Sequence, residues 1–157
     1  MTEVNIKCMD CKIELLFQGR CKKNANGVAF KNGFGRLLYK DSTNLFYMGH
    51  FHEDEIYGSN IKIFHNQKDN VMMRIESQEE EKLDEITGSF KMFWPNGNQA
   101  FEGGLLNGLK NGVCQKFTED GKVSCVKQYS QGFPENKVCD NLVCYQEELM
   151  LDSFFKR

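Results

Sequence analysis

The chain is poor in the residues that build helical or membrane-spanning proteins. Of its 157 residues, only three are alanine and two are proline, whereas 14 are glycine and 13 are phenylalanine. Alanine is the best helix former, while glycine and asparagine favour turns and aromatic residues favour strands. No apolar run approaches the roughly 20 residues that a membrane-spanning helix needs. We therefore expect a β-rich fold and not a helix bundle.

Neither sign of charge dominates the composition. The chain has 20 basic and 22 acidic residues, which gives a net charge of −2 at pH 7. A nucleic-acid binder usually has a clear basic excess, so no nucleic-acid partner is expected. Hydrophobic residues make up 40% of the chain, which argues against wholesale disorder.

The N-terminal residues and the cysteines both indicate a cytoplasmic protein. The first ten residues include Glu3 and Asp10 and lack an apolar stretch, so no secretory signal is expected. Seven cysteines without an export signal are expected to be reduced thiols. Only Cys8-x-x-Cys11 has the spacing of a zinc or redox pair, and a zinc site wants four ligands. We therefore expect no metal and no cofactor.

Glycines recur at a nearly constant spacing, which indicates an internal repeat. Gly33, Gly58, Gly88 and Gly112 are separated by 25, 30 and 24 residues. Four similar segments accompany them: Tyr47-x-Gly49-x-Phe51-x-x-Asp54, Val71-x-Met73-x-Ile75-x-x-Gln78, Phe101-x-Gly103-x-Leu105-x-x-Gly108 and Cys125-x-Lys127-x-Tyr129-x-x-Gly132. The longer spacing is attributed to six extra residues in the acidic stretch 79–84, which we expect to form a loop.

Each unit has the pattern of a β-hairpin, because apolar residues alternate over five positions and a turn then leads to a second strand. One hairpin cannot bury its apolar face alone, so neighbouring hairpins are expected to pack together. The fold class predicted is all-β, an elongated single-layer array of antiparallel hairpins with a short C-terminal helix. Turns are expected around Asp54, residues 78–84, Gly108 and Gly132. One face is expected to carry Tyr47, Phe51, Phe101, Leu105 and Tyr129.

The repeat unit resembles the MORN repeat, whose pattern is Y-x-G-x-W-x-x-G-x-x-x-G-x-G followed by an aromatic residue and a Pro-Asp/Asn-Gly turn. The best match is Phe101–Gly121, and the resemblance covers about residues 17 to 132. Met73 and Lys127 replace the first-strand glycine in two units, and no unit keeps the tryptophan there. The resemblance implies a non-catalytic structural protein, similar to the short MORN proteins of radial-spoke heads and axonemes.

Three segments follow from this pattern. Residues 1–32 are interpreted as a degenerate capping unit, residues 33–136 as the repeats, and residues 137–157 as a helical cap or docking segment. The terminal helix has more apolar residues than one stripe requires. It is therefore expected either to fold back on the last hairpin or to dock into another protein. Aromatic residues commonly anchor interfaces, and the candidate interface residues are Phe93, Trp94, Leu149, Leu151, Phe154 and Phe155.

The sequence contains no recognisable catalytic motif, so an enzyme is not expected. His50 and His52 share one face of a strand and His65 lies on the next, but this set is interpreted as exposed strand residues. The function predicted is a scaffold subunit that contacts other protein subunits of a large assembly, most simply a ciliary or cytoskeletal one. The alternatives are a peripheral phospholipid-binding module, or an accessory subunit of another large complex, including an organellar one. The single tight basic cluster, Arg20 with Lys22 and Lys23, gives membrane lipid less support.

Overall fold

The protein forms one open antiparallel sheet in which every strand pairs with its neighbours in sequence. The computed structural model describes residues 2–7, 12–66 and 70–135, with side chains described from Ile13 onward. The eleven strands are β1 (Thr2–Lys7), β2 (Lys12–Lys23), β3 (Ala29–Tyr39), β4 (Leu45–His52), β5 (Glu55–Phe64), β6 (Val71–Lys82), β7 (Gly88–Phe93), β8 (Gln99–Leu106), β9 (Leu109–Phe117), β10 (Val123–Ser130) and β11 (Phe133–Pro134).

This architecture confirms the predicted all-β, single-layer array of antiparallel hairpins. The predicted C-terminal helix and the whole predicted C-terminal segment, residues 137–157, lie outside the described residues. No helix among the described residues is long and apolar enough to cross a membrane. Within residues 12–66 and 70–135, one 3-10 turn, Leu83–Glu85, lies between two strands.

One face of the sheet, here called the inner face, carries the core. Tyr47, Phe51, Phe101, Leu105 and Tyr129 are each at most 4% exposed, as alternation predicts. Aromatic rings pack edge to face along this surface, with centroid distances of 5.1 Å between Phe17 and Phe51 and 5.4 Å between Tyr47 and Phe51. Because strands twist relative to one another, side chains of neighbouring strands pack against each other on this face.

Neighbouring repeats are also joined at the ends of the strands, where side chains reach the next hairpin. The Tyr39 hydroxyl donates to the Phe64 carbonyl at 2.7 Å, 25 residues along. His65 Nε2 donates to the Phe93 carbonyl at 2.7 Å, and Trp94 Nε1 donates to the Phe117 carbonyl at 3.1 Å. Tyr39, His65 and Trp94 thus each donate a hydrogen bond to a backbone carbonyl of the next unit, although they are three different residue types. These bonds fix the register of one hairpin on the next.

Gly88 begins β7, but Asn32-Gly33 and Asn111-Gly112, which have the composition of turns, do not form turns. Both pairs lie inside strands, β3 and β9, at places where the pairing register shifts. Gly33 has φ 99° and Gly112 has φ 88°, in the region that favours glycine. Each marks a bulge, where extra residues of one strand oppose a single residue of its partner.

The acidic stretch 79–84 is not the loop that the sequence predicts. Strand β6 continues to Lys82, and its last two residues, Glu81 and Lys82, pair with Gly58 and Tyr57 of β5. Between this pair and Asn60–Glu76, four residues of β6 face one residue of β5. A wide bulge therefore absorbs part of the insertion, and the 3-10 turn absorbs the rest. Charged side chains suit this segment because it borders solvent.

The described cysteines depart in part from the expectation of reduced thiols. Cys21 is free and exposed, and Cys114 is free and buried. Cys125, on the inner face of β10, is disulfide-bonded. The pair Cys8 and Cys11 lies outside the described residues.

Candidate interaction surfaces

The opposite, outer face of the sheet presents large apolar side chains to solvent. Phe34 on β3 is 50% exposed and Met48 on β4 is 55% exposed. Phe34 is paired with His50, and their rings meet edge to face at 5.8 Å. Arg36, paired with Met48, is held by two hydrogen bonds from its guanidinium to Gln18 Oε1 at 2.8 and 2.5 Å. Phe34 and Met48, with Arg36 and His50 beside them, are here called the apolar patch. The His50 ring and the Gln18 side chain hold Phe34 and Arg36 in place.

Three cations lie in one row across the outer face. Lys62 on β5 is directly opposite Arg74 on β6, which is directly opposite Lys91 on β7. All three side chains are exposed. No ion pair within the described ranges involves Lys62 or Lys91. Like charges directly opposite each other destabilise a sheet. On its other side Lys91 is directly opposite Glu102 of β8, so within this basic row it is Lys62 and Arg74 that an anionic partner would stabilise most.

The two aromatic candidates at the β7 end point to opposite faces. Trp94 lies on the inner side, where it packs against the core and makes the bond to Phe117 described above. Phe93 lies on the outer side, half-buried, with the Arg74 guanidinium carbon 5.6 Å from its ring centroid. Alternation along the strand allows only one of the two to enter the inner face, and that residue is Trp94. Phe93 thereby joins the basic row on the outer face.

Three buried lysines that the sequence analysis did not single out lie on the inner face of β9 and β10. Lys110 and Lys116 on β9 are 2% and 3% exposed, and Lys127 on β10 is 9% exposed. Lys110 Nζ lies 4.6 Å from the Tyr129 ring centroid, and Lys116 Nζ lies 6.0 Å from that of Trp94. Because side chains alternate between the faces of a strand, the sequence could have placed these lysines on the inner face. Lys127 occupies the inner-face position where other units have glycine or methionine.

The three histidines do not converge on a metal site. His50 and His52 are exposed on β4, and the His52 ring lies 3.4 Å from the Glu53 carboxylate. His65 lies near the opposite edge, bonded to a backbone carbonyl. Within the described part of the chain, no group of three or more metal-ligating side chains forms.

Two buried tyrosines hold their protons at neutral pH. Burial raises the pKa of Tyr47 to about 12, and the bond from its hydroxyl to the His50 carbonyl, at 2.8 Å, acts in the opposite direction. Burial also raises the pKa of Tyr39, and the nearby Asp41 carboxylate adds to the shift. Both hydroxyls therefore serve as hydrogen-bond donors. Their role is to fix the backbone of the array.

The β6 bulge lines an acidic depression of about 620 Å³. Its carboxylates are those of Glu76, Glu79 and Glu81, and Thr87 and Ser89 complete part of the wall. The Glu81 carboxylate accepts a bond from the Thr87 backbone N–H at 2.8 Å. Glu81 therefore stabilises the connection between β6 and β7.

The remaining candidate residues, Leu149, Leu151, Phe154 and Phe155, lie outside the described residues. No family model, curated protein or solved structure matches the chain. The case for function accordingly depends on the two faces of the sheet.

Proposed function

We propose that the protein is a non-catalytic scaffold subunit, built from MORN-like repeats, that binds a protein partner through the outer face of its sheet. The observation that carries this proposal is the apolar patch. Phe34 and Met48 are about half exposed on neighbouring strands, whereas the opposite face of the same strands buries Tyr47 and Phe51. Large apolar side chains grouped on a solvent face mark interaction sites.

The chemistry of the outer face favours a partner surface that combines apolar residues with carboxylates. Arg36 lies within the apolar patch on β3 and β4, and the basic row of Lys62, Arg74 and Lys91 crosses β5–β7 on the same face. Carboxylates of a partner would offset the repulsion between these opposed cations. Aromatic and arginine side chains are also the types that contribute most to interface energy, and the pair Phe93 with Arg74 has this composition.

A phospholipid headgroup is the alternative anion, so membrane binding is the second candidate. It is favoured by the same basic row and by Arg20, Lys22 and Lys23 on β2. The scaffold is preferred because the apolar residues lie beside the charges on a sheet face, where another folded surface can pack. A cytoplasmic location within a ciliary or cytoskeletal assembly is part of this proposal and is supported by the MORN resemblance alone.

A quantitative capture experiment tests the proposal. Tagged full-length protein, the F34S/M48S variant and a V28S/V123S control are incubated with extract of the native source and analysed by mass spectrometry. Val28 and Val123 are equally exposed, at 60% and 56%, but lie at strand ends away from the patch. We expect partners that the wild type and the control retain and that F34S/M48S loses, with circular dichroism unchanged.

Two results would contradict the proposal. Identical capture by all three proteins would refute an outer-face interface. Binding to phosphatidylserine vesicles that K62E/K91E abolishes, but that K22E/K23E leaves intact, would replace the protein partner with a membrane. The two double reversals change the net charge by the same amount, so bulk electrostatics cannot explain a difference between them.

A further inference from the structure

The two outermost strands of the sheet are built differently. Among the described residues, β1 ends the sheet on one side and β11 ends it on the other. Strand β11 has only two residues, Phe133 and Pro134, and shortness and proline both keep an edge strand from pairing with another chain. Strand β1 has six residues without proline, and its register on β2 runs from Thr2 to Lys7 without a bulge. Of the two strands, β1 is therefore the one that another strand can extend.

The apolar inner face continues up to this edge of the sheet. Val4 and Ile6 of β1 are directly opposite Leu15 and Ile13 of β2. Leu15 is fully buried, and Ile13 is half-buried and packs against the core. The core thus reaches β2, and the sequence places two further apolar residues at the inner-face positions of β1. A strand that pairs with β1 and has apolar residues at the same positions would extend this face.

The outer-face positions of β1 bring two basic residues together. Lys7 is directly opposite Lys12 of β2, and like charges directly opposite each other destabilise a sheet. Glu3 shares a face with Lys7, because the two residues are four positions apart on one strand, and it is directly opposite the apolar Leu16. A strand that places an acid opposite Lys7 and a base opposite Glu3 would therefore be favoured at this edge.

A second copy of β1 meets both requirements in one antiparallel register. Because the faces of a strand alternate, the inner faces of two copies lie on the same side only when even-numbered residues of β1 oppose even-numbered ones. In the register that pairs Asn5 with Asn5 of the second copy, Val4 lies opposite Ile6. The same register places Glu3 opposite Lys7, and the two-fold axis repeats both pairs. The neighbouring registers, centred on Val4 or on Ile6, give no pair of opposite charges.

We propose that two copies of the protein pair antiparallel through their β1 strands, with Asn5 at the two-fold axis. The two sheets become one continuous sheet, because the backbone N–H and C=O groups along the edge of each β1 find partners on the other. The apolar inner face continues across the junction, and Glu3 of one copy offsets the repulsion between Lys7 and Lys12 of the other. The contact does not involve the outer face of β3–β7, so this inference stands or fails independently of the proposed function.

Exchange of the two charges tests this register. Sedimentation velocity of the full-length protein over a concentration series gives the dissociation constant of the dimer. An edge of residues 3–7 buries less surface than the roughly 1,600 Å² of a standard interface, so the dimer should dissociate on dilution. Glu3→Lys and Lys7→Glu each replace two attractive pairs by two repulsive ones and should raise the dissociation constant about tenfold. The double variant E3K/K7E restores opposite charges and should return the constant to within about threefold of the wild-type value.

A protein that stays monomeric at every concentration would overturn the proposal, and this measurement needs no variant to fold. A dimer whose dissociation constant the two single variants leave unchanged would form elsewhere on the chain and would overturn it as well. Failure of E3K/K7E to restore the dimer would refute the register. Circular dichroism checks that each variant keeps its strands.

Disulfide formation at the two-fold axis provides a second measurement. Residues directly opposite each other in an antiparallel pair have Cα atoms about 4.5–5.5 Å apart, within the range that a disulfide spans. Asn5→Cys should therefore give a disulfide-linked dimer on mild oxidation. Glu3→Cys is the matched control and should not, because residue 3 lies about 13 Å along the strand from residue 3 of the second copy. The wild type, in which Cys21 is free and exposed, gives the background. Equal cross-linking of the two variants, or none of Asn5→Cys above that background, would contradict the pairing.

Discussion

Truncation of Phe101 is the sharpest test of the inner-face packing. The ring is 2% exposed and lies nearly parallel to that of Phe90, with centroids 5.7 Å apart and planes 19° from each other. Phe101→Ala removes a buried ring and leaves a cavity that the two flanking strands cannot easily close. We expect the free energy of unfolding to fall by about 3–5 kcal/mol. The exposed residue Phe34 gives the control, since Phe34→Ala should change stability by no more than about 0.5–1 kcal/mol.

Urea unfolding followed by tryptophan fluorescence measures this difference directly. Trp94 is the only tryptophan of the chain and packs against the core, so its emission reports the loss of the inner face. The denaturant slope should be equal in the wild type and both variants, which would show that the same surface is exposed in each case. A loss below roughly 1 kcal/mol for Phe101→Ala would mean that the register of the hairpins on the inner face is wrong.

Three further perturbations test the hydrogen bonds, the bulge and the surface charge. Tyr47→Phe removes the bond to the His50 carbonyl and should cost about 1 kcal/mol in urea unfolding; no loss would mean that the bond is not formed. Gly112→Ala adds a Cβ that meets nothing within 4 Å but must adopt φ 88°, so a thermal melt should show a loss of about 1–2 kcal/mol; unchanged stability would rule out the left-handed bulge. The bond from Lys82, at 2.7 Å, lowers the pKa of Glu53, so the stabilising effect of the ionised carboxylate is present at neutral pH and is lost as pH falls through that lowered pKa. Glu53→Gln should weaken the acid dependence of the melting temperature, and an unchanged acid limb would show that the pair has no effect.

The alternation of side chains made the inner face predictable. A strand places every second residue on one face, so Tyr47 and Phe51, or Phe101 and Leu105, identify the buried side without any knowledge of the partner strands. The regular spacing then indicated hairpins that pair in sequence order. The choice between Phe93 and Trp94 needed the structure, because either could follow from the alternation until the end of β7 was known.

Bulges explain why sequences with the composition of a turn or a loop lie inside strands. Asn-Gly is a strong turn signal, yet the same dipeptide suits a left-handed bulge, as Gly112 shows. Local sequence does not separate the two, since both need a residue at positive φ. The loop predicted for the acidic stretch 79–84 is wrong for a related reason. Charged residues on an exposed strand segment have the composition of a loop, and only the pairing of Glu81 with Gly58 reveals the strand.

The buried lysines show that the type of residue at an inner-face position can change from unit to unit while the direction of its side chain stays the same. Lys127 takes the same inner position as Gly103 in the preceding unit, and alternation alone would have placed it inside. The usual assumption that lysine faces water argued against that placement, although a lysine stem can line an apolar surface. A repeat array has neighbours on both sides except at its ends, and only there must the inner face meet something other than another hairpin. The lysines of the last two strands therefore change the chemistry of the inner face without changing which positions of the strand are buried.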